Sequence, residues 1–212
     1  MRKSEKASRI FALLNNYYPS VDIPLKHRCP YTLLVAVLLS QQSTDKKVNE
    51  ITPELFEKAD SPEKMVSLGI EEIQKIIRPI GLAPQKAKNL YALSKMLLEH
   101  FQGKIPPRLE ELMQLPGVGR KTALCVLAQA FHQDAFPIDT HILRLANRWG
   151  LSKSKNPLRV EEDLKKLFLK SSWSKVHLQI IFAGREFCKA SPHDPQKCPF
   201  CSSLISTKKP LD

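Results

Sequence analysis

A chain of 212 residues, 42% of them hydrophobic, has enough apolar material to bury a core, which excludes a disordered tail or adaptor. Thirty-three Lys and Arg against 21 Asp and Glu leave a net charge of +12, which points to a polyanionic partner. The longest apolar stretches, such as Tyr31 to Leu39, fall far short of the roughly 20 residues of a membrane span, and the basic start Met1-Arg2-Lys3-Ser4-Glu5-Lys6 leads into no signal-peptide core; a soluble, cytoplasmic, nucleoid-associated protein with no membrane partner is expected.

Only 7 glycines, with 16 prolines set mostly between apolar-periodic segments, favour an all-helical chain. Ile10, Leu13, Leu14 and Tyr17 lie at i, i+3, i+4 and i+7, the stripe of an amphipathic helix. Ser61-Pro62-Glu63 reads as an N-cap, a proline at the first helical position and an acid in the first turn. Leu90, Leu93, Leu97 and Phe101 repeat the helical period, as do Ala123, Val126, Leu127 and Ala130. Asn156-Pro157 opens a further helix carrying Leu164, Leu167 and Phe168. Alternating strand patterns are nearly missing, and the stretch from Ser191 onward reads as a loop-rich appendage. Five cysteines, three of them crowded near the C-terminus, suggest metal binding rather than a disulfide framework. Cys29 and Cys125 read as inert packing residues, and Trp149 and Trp173 as core.

The densest motif is Leu115-Pro116-Gly117-Val118-Gly119-Arg120-Lys121-Thr122-Ala123. A helix through Leu109, Leu112 and Met113 ends at Pro116-Gly117, and a second begins near Arg120. Glycines let backbone N–H groups approach a phosphate, and the new helix offers its free N–H groups and positive dipole end there. No strand precedes the glycines, so a dinucleotide fold is excluded. Alone, Gly-x-Gly is an ordinary helix connector. Arg120 and Lys121 tilt the reading, because cations in a first turn oppose the helix dipole at about 0.3–1 kcal/mol each unless a polyanion docks.

This segment resembles the helix-hairpin-helix of the endonuclease III family of DNA glycosylases. Phe136-Pro137-Ile138-Asp139-Thr140-His141-Ile142-Leu143-Arg144 resembles the second signature of that family, and Leu38-Leu39-Ser40-Gln41-Gln42-Ser43-Thr44-Asp45 and Ile80-Gly81-Leu82 also match. The resemblance runs in register from about residue 5 to Cys188. It implies an all-α fold of two helical lobes with a DNA-binding cleft between them. One lobe covers 22–133 and carries the hairpin at about 109–131; the other is made of 1–21 and 134–212, with a Cys-bearing C-terminal loop over 188–212.

The resemblance also implies a bifunctional DNA N-glycosylase and abasic-site lyase of base excision repair, a monomer acting on oxidised or otherwise damaged pyrimidines in duplex DNA. Lys121 is the expected nucleophile. A free lysine has a pKa near ~10.4, so the amine must shed a proton before it attacks the sugar. Asp139 is the second catalytic residue: it caps the helix through Ile142, Leu143 and Ala146, and in the family it faces the lysine, where it can take up the amine proton and offset charge on the sugar. Gln42 and Leu82 match residues that fill the gap left by an extruded nucleotide, a need imposed by chemistry on a base that is otherwise stacked. Gly117, Val118, Gly119 and Arg120 are expected to hold the DNA backbone; His141 and Arg144 are either phosphate contacts or exposed helix residues. No nucleotide cofactor or divalent metal is needed, since the lysine performs both steps. The rivals are a monofunctional glycosylase of the same superfamily, disfavoured by Lys121 and by a chain ending at Asp212, and a catalytically silent helix-hairpin-helix DNA-binding protein.

At the cysteines the sequence departs from the family, whose members commonly end in C-x6-C-x2-C-x5-C, four thiolates around a [4Fe–4S] cluster. Here nine residues separate Cys188 from Cys198, two separate Cys198 from Cys201, and Thr207 takes the expected fourth position. His193 lies in the longer first spacer. Three readings stay open: no metal, a three-thiolate cluster with a foreign fourth ligand, and zinc on three Cys and one His. The first is the expectation, a cluster absent or atypical and a colourless protein that is still active.

Overall fold

A computed structural model describes residues 1–205. They form α-helices and one short 3-10 turn, with no β-strand among the described residues, so the fold is all-α. No helix among them is long and apolar enough to cross a membrane. The chain divides into two compact units, Ile23–Gln133 and a terminal unit that joins Met1–Asp22 to the chain from Asp134 onward.

The central unit is built around α2 (Pro30–Leu39), which starts on a proline and is buried at every position from Tyr31 to Leu39. A helix apolar on all sides must be enclosed, and the surrounding helices do this. Helices α3 (Asp45–Lys58), α5 (Ala83–Phe101) and α7 (Arg120–Ala130) pack against α2, while α4 (Pro62–Ile76) packs on α3 and α5, and α6 (Leu109–Leu112) on α7. Ser61 caps α4 by accepting from the Lys64 N–H at 3.4 Å, and Thr44 caps α3 from Lys47 N–H at 3.3 Å. Helix α4 is interrupted at Gly69, whose φ of +79° is a left-handed conformation open to glycine. Ala83, Ala87, Leu90, Leu93 and Leu97 carry the buried stripe of α5. Tyr31 and Ser94 satisfy each other through a 2.7 Å hydroxyl bond inside this core.

The terminal unit packs α1 (Lys3–Tyr17), α8 (Thr140–Arg148), α9 (Pro157–Leu167), α10 (Trp173–Glu186) and the short α11 (Pro199–Ser202). Ile10, Leu14, Phe136, Ile142, Trp149, Val160 and Leu164 form its core. Asn156 caps α9 through a 2.9 Å bond from the Leu158 N–H. Gln179 of α10 is fully buried and donates to the Tyr18 carbonyl, which follows the last turn of α1, and to the Leu14 carbonyl, which the Tyr18 N–H also reaches.

Two expectations are corrected. The stretch from Ser191 to residue 205 is loop-rich as expected but is no appendage: Phe200 has no exposed surface and stacks on Trp149 at 5.4 Å, because an aromatic ring gains most from burial wherever the chain can bring it. Cys29 is exposed at the N-cap of α2, since a cap residue precedes the buried stripe instead of joining it, whereas Cys125 is buried. Trp149 is core, and Trp173 is half-buried with its indole N–H donating to the Phe168 carbonyl at 3.0 Å.

Candidate active site

Within the central unit, the segment after α6 turns through Gly117 at φ +79°, closed by a 3.0 Å bond from the Val118 N–H to the Leu115 carbonyl. A Cβ on Gly117 would stand 2.6 Å from Asn89 Nδ2, so both the backbone and the neighbouring α5 demand glycine here. Gly119 then caps α7 in extended backbone with no side-chain cap and nothing within 4 Å of where its Cβ would stand. No capping side chain covers the start of α7 and the space beside Gly119 is open, an arrangement suited to receive an anion. Val118 is buried and anchors the turn. Arg120 is half-buried and Lys121 exposed in the first turn, which contains no acid.

A second turn of the same unit bonds to this hairpin, and a third lies against the second. Gln41 donates from Nε2 to the Gly117 carbonyl and to Thr122 Oγ1, both at 3.2 Å, joining the turn after α2 to α7. Gln42 follows at φ +54° and is exposed; Leu82 stands at φ +62° with 57% of its surface exposed. Left-handed backbone costs a non-glycine residue on the order of 1–2 kcal/mol, so both are held there by their surroundings. The two turns are neighbours: a Cβ on Gly81 would meet the Gln42 carbonyl oxygen at 3.7 Å. An exposed leucine and an exposed glutamine are thereby raised side by side from strained turns.

Lys86 is the residue the sequence reading missed. Only 3% exposed, it donates from Nζ to the Leu39 carbonyl at 2.8 Å, the Gln41 carbonyl at 2.6 Å and Ser43 Oγ at 3.3 Å. A cation at the C-terminal end of α2 complements that helix dipole and ties down the Gln42 turn. Burial lowers its pKa. The signal was present: Lys86 falls three residues after Ala83 and four before Leu90, on the inward stripe of α5.

In the terminal unit, Asp139 is the N-cap of α8, its Oδ1 accepting from the Ile142 N–H at 2.8 Å. His141 is half-buried; burial, then the cations Arg144 and Arg185, lower its pKa against the pull of Asp139. Arg144 donates from Nη2 to His141 Nδ1 at 3.3 Å and to the Gly184 and Cys188 carbonyls at 3.1 Å. Neither residue is an open surface cation. A Cβ on Gly184 would come within 2.8 Å of Leu145 Cδ1, which explains how α10 approaches α8 so closely. Lys121 belongs to the central unit and Asp139 to the terminal one, and each is positioned by its own helix start.

Cys188, His193, Cys198 and Cys201 also come together in the terminal unit, with one donor atom from each lying within 4.8 Å of all the others. Burial pushes the Cys198 and Cys201 thiols up and, with Arg148 beside it, the His193 imidazole down. Three sulfurs and one imidazole nitrogen form a donor set suited to a metal. Thr207, the expected fourth position of a four-cysteine pattern, lies outside the described residues.

An all-α unit in which a glycine turn leads into a helix that no side chain caps, with cations in its first turn, is a helix-hairpin-helix module of the class that receives nucleic-acid backbone. Residues 35–170 match the family described as HhH-GPD superfamily base excision DNA repair protein, and the chain belongs to that superfamily. It is similar to the endonuclease III of Bacillus subtilis (strain 168), 42% identical over 190 residues that cover 89% of this chain and 87% of the relative. It is likewise similar to the endonuclease III of Rickettsia conorii, 40% identical over 97% of this chain and 100% of that one. Among solved structures, a trapped endonuclease III–DNA covalent intermediate superposes with a TM-score of 0.90 at 39% identity, covering 94% of both chains. A non-covalent endonuclease III–DNA complex gives the same TM-score of 0.90 at 38% identity over 95% of this chain and 94% of that one.

Proposed function

We propose that this chain is a bifunctional DNA N-glycosylase and abasic-site lyase that removes damaged pyrimidines from duplex DNA. The observation that carries the reading is Lys121, an exposed amine in the first turn of the hairpin's second helix, in a chain 39% identical to an enzyme captured as a covalent DNA intermediate. The neutral amine attacks sugar C1′ as the C1′–N bond to the base breaks, and the departing base takes a proton. The new ammonium gives up one proton, the nitrogen lone pair breaks the C1′–O4′ bond, and O4′ takes up a proton, which leaves a ring-opened, protonated Schiff base. That imine acidifies the C2′ proton; its removal expels the 3′ phosphate by β-elimination, and water then frees the lysine. Asp139 accepts the amine proton and offsets positive charge on the sugar. Its cap bond occupies Oδ1 and keeps the carboxylate in one orientation.

Gln42 and Leu82 fill the gap left when the target nucleotide leaves the stack, and the Gly117–Arg120 segment holds the strand through backbone N–H groups. His141 and Arg144 follow Asp139 on α8 and shape the charge around it. None of these steps requires a nucleotide or a metal at the reacting atoms. Borohydride reduction during reaction with abasic-site duplex is the test. The wild-type chain is expected to form a covalent adduct and to nick the strand; Lys121→Ala should do neither while binding DNA nearly as well. Failure of the wild type to trap or nick leaves the rival reading, a DNA-binding protein without lyase chemistry.

A further inference from the structure

The four-donor cluster of the terminal unit is too compact for the group that the family resemblance implies. Its Sγ atoms on Cys188 and Cys201 are 3.5 Å apart; His193 Nε2 lies 3.3 Å from Cys201 Sγ and 3.9 Å from Cys188 Sγ. With Cys198 included, no two of the donor atoms are farther apart than 4.8 Å. A tetrahedral ion with metal–sulfur bonds of about 2.3 Å and metal–nitrogen bonds of about 2.0 Å sets its ligands about 3.5–3.8 Å apart. A cubane places each thiolate on a different iron and interposes its own irons and sulfides, so its ligand sulfurs stand on the order of 6 Å apart. The cluster has the dimensions of one ion.

We propose that Cys188, His193, Cys198 and Cys201 hold a single zinc ion in a closed structural site in place of a four-iron cluster. Three thiolates and an imidazole match the ligand preference of zinc, and the Cys198-Pro199-Phe200-Cys201 segment supplies the two-residue spacing of a metal knuckle. Backbone N–H groups of Phe200 and Cys201 bond toward the Cys198 sulfur, and the ring of His193 bonds the Phe187 backbone, the outer support that fixes thiolate and imidazole ligands. Zinc on three thiolates carries one net negative charge. Arg148 answers it, donating from Nη1 to Cys188 Sγ at 3.3 Å and to the Cys188 and Lys189 carbonyls. Four protein ligands leave no position for water or substrate, so the ion is structural. It fastens Phe200 against Trp149 and closes the core of the terminal unit.

The test is elemental analysis of the full chain, produced in medium containing both iron and zinc and purified anaerobically without metal-affinity resin. About one zinc per chain, with negligible iron and no absorbance near ~400 nm, is expected. Replacement by cobalt should give the visible bands of a tetrahedral thiolate site. His193→Ala should weaken zinc retention against a chelator at least about tenfold, and His193→Cys should restore it. About four irons per chain, a chain without metal, or zinc held equally tightly by His193→Ala would each overturn the proposal. These readouts need no DNA and stand apart from the lyase assignment.

Discussion

Replacing Gly117 and Gly119 by alanine, one at a time, separates what the hairpin needs in order to fold from what it needs in order to bind. Gly117 has φ +79°, where an alanine costs on the order of 1–2 kcal/mol. Its new Cβ would also stand 2.6 Å from Asn89 Nδ2 and 3.1 Å from Asn89 Cβ, so Asn89 must turn away from its 2.9 Å bond with Gln85. Against this, alanine narrows the unfolded ensemble by about 0.4–1 kcal/mol. The net expectation for Gly117→Ala is a loss of roughly 1–3 kcal/mol, a fall in Tm of about 2–10 °C for a chain of this size. Gly119 has φ −89°, open to any residue, and nothing within 4 Å of a Cβ. There the poorer cap propensity of alanine and the gain in the unfolded chain cancel to within about 0.5 kcal/mol. If the space before α7 receives a phosphate, that methyl group lies in its way, and Gly119→Ala should bind duplex DNA at least about tenfold more weakly at unchanged stability. Thermal unfolding by circular dichroism and fluorescence anisotropy on an abasic-analogue duplex measure the two effects. Wild-type stability in Gly117→Ala would refute the backbone reasoning, and wild-type affinity in Gly119→Ala would refute the phosphate-facing reading.

Asp139→Asn should slow base removal severely in a single-turnover assay while shifting stability by less than about 0.5 kcal/mol, because asparagine still caps α8; activity near wild type would remove Asp139 from the chemistry. DNA affinity should fall steeply with salt, with a log–log slope of about −0.9 per phosphate neutralised, and a flat titration would argue against a phosphate-dominated interface. Lys86→Met strands the Leu39 and Gln41 carbonyls and should cost roughly 1–3 kcal/mol in denaturant unfolding after relief of the buried ammonium is counted. It should also slow base removal more than it slows nicking of a preformed abasic site, through the slackened Gln42 turn; equal effects on both would sever Lys86 from that turn.

Local chemistry made much of this protein readable from sequence. Ser61-Pro62, Asp139 and Asn156 start helices because a short polar side chain can reach an N–H two or three residues ahead, an interaction contained within one turn. The all-α class follows from the accumulation of helical periods, and Ile10, Leu14, Leu90, Leu93 and Leu97 are buried as that period expects; Tyr17 at the end of α1 is exposed instead, and α7 is buried without a break from Thr122 to Ala128, because α2 and α6 pack against it. The glycine turn before Arg120 was legible from local chemistry too. Tertiary structure decided what depends on partners distant in the chain. That Leu82 is exposed in a left-handed turn beside Gln42, and not buried, is imposed by elements some 40 residues apart. Lys86 could turn inward because the end of α2 and the turn after it offer three oxygens to its amine, and no pattern local to α5 contains those acceptors. Phe200, in a polar and cysteine-bearing stretch, joins the core because Trp149 stands opposite it. Spacing made His193 only one ligand candidate among several; folding brought its ring within reach of two thiols, since the position of a donor atom is set by the whole packed unit and not by its place in the chain.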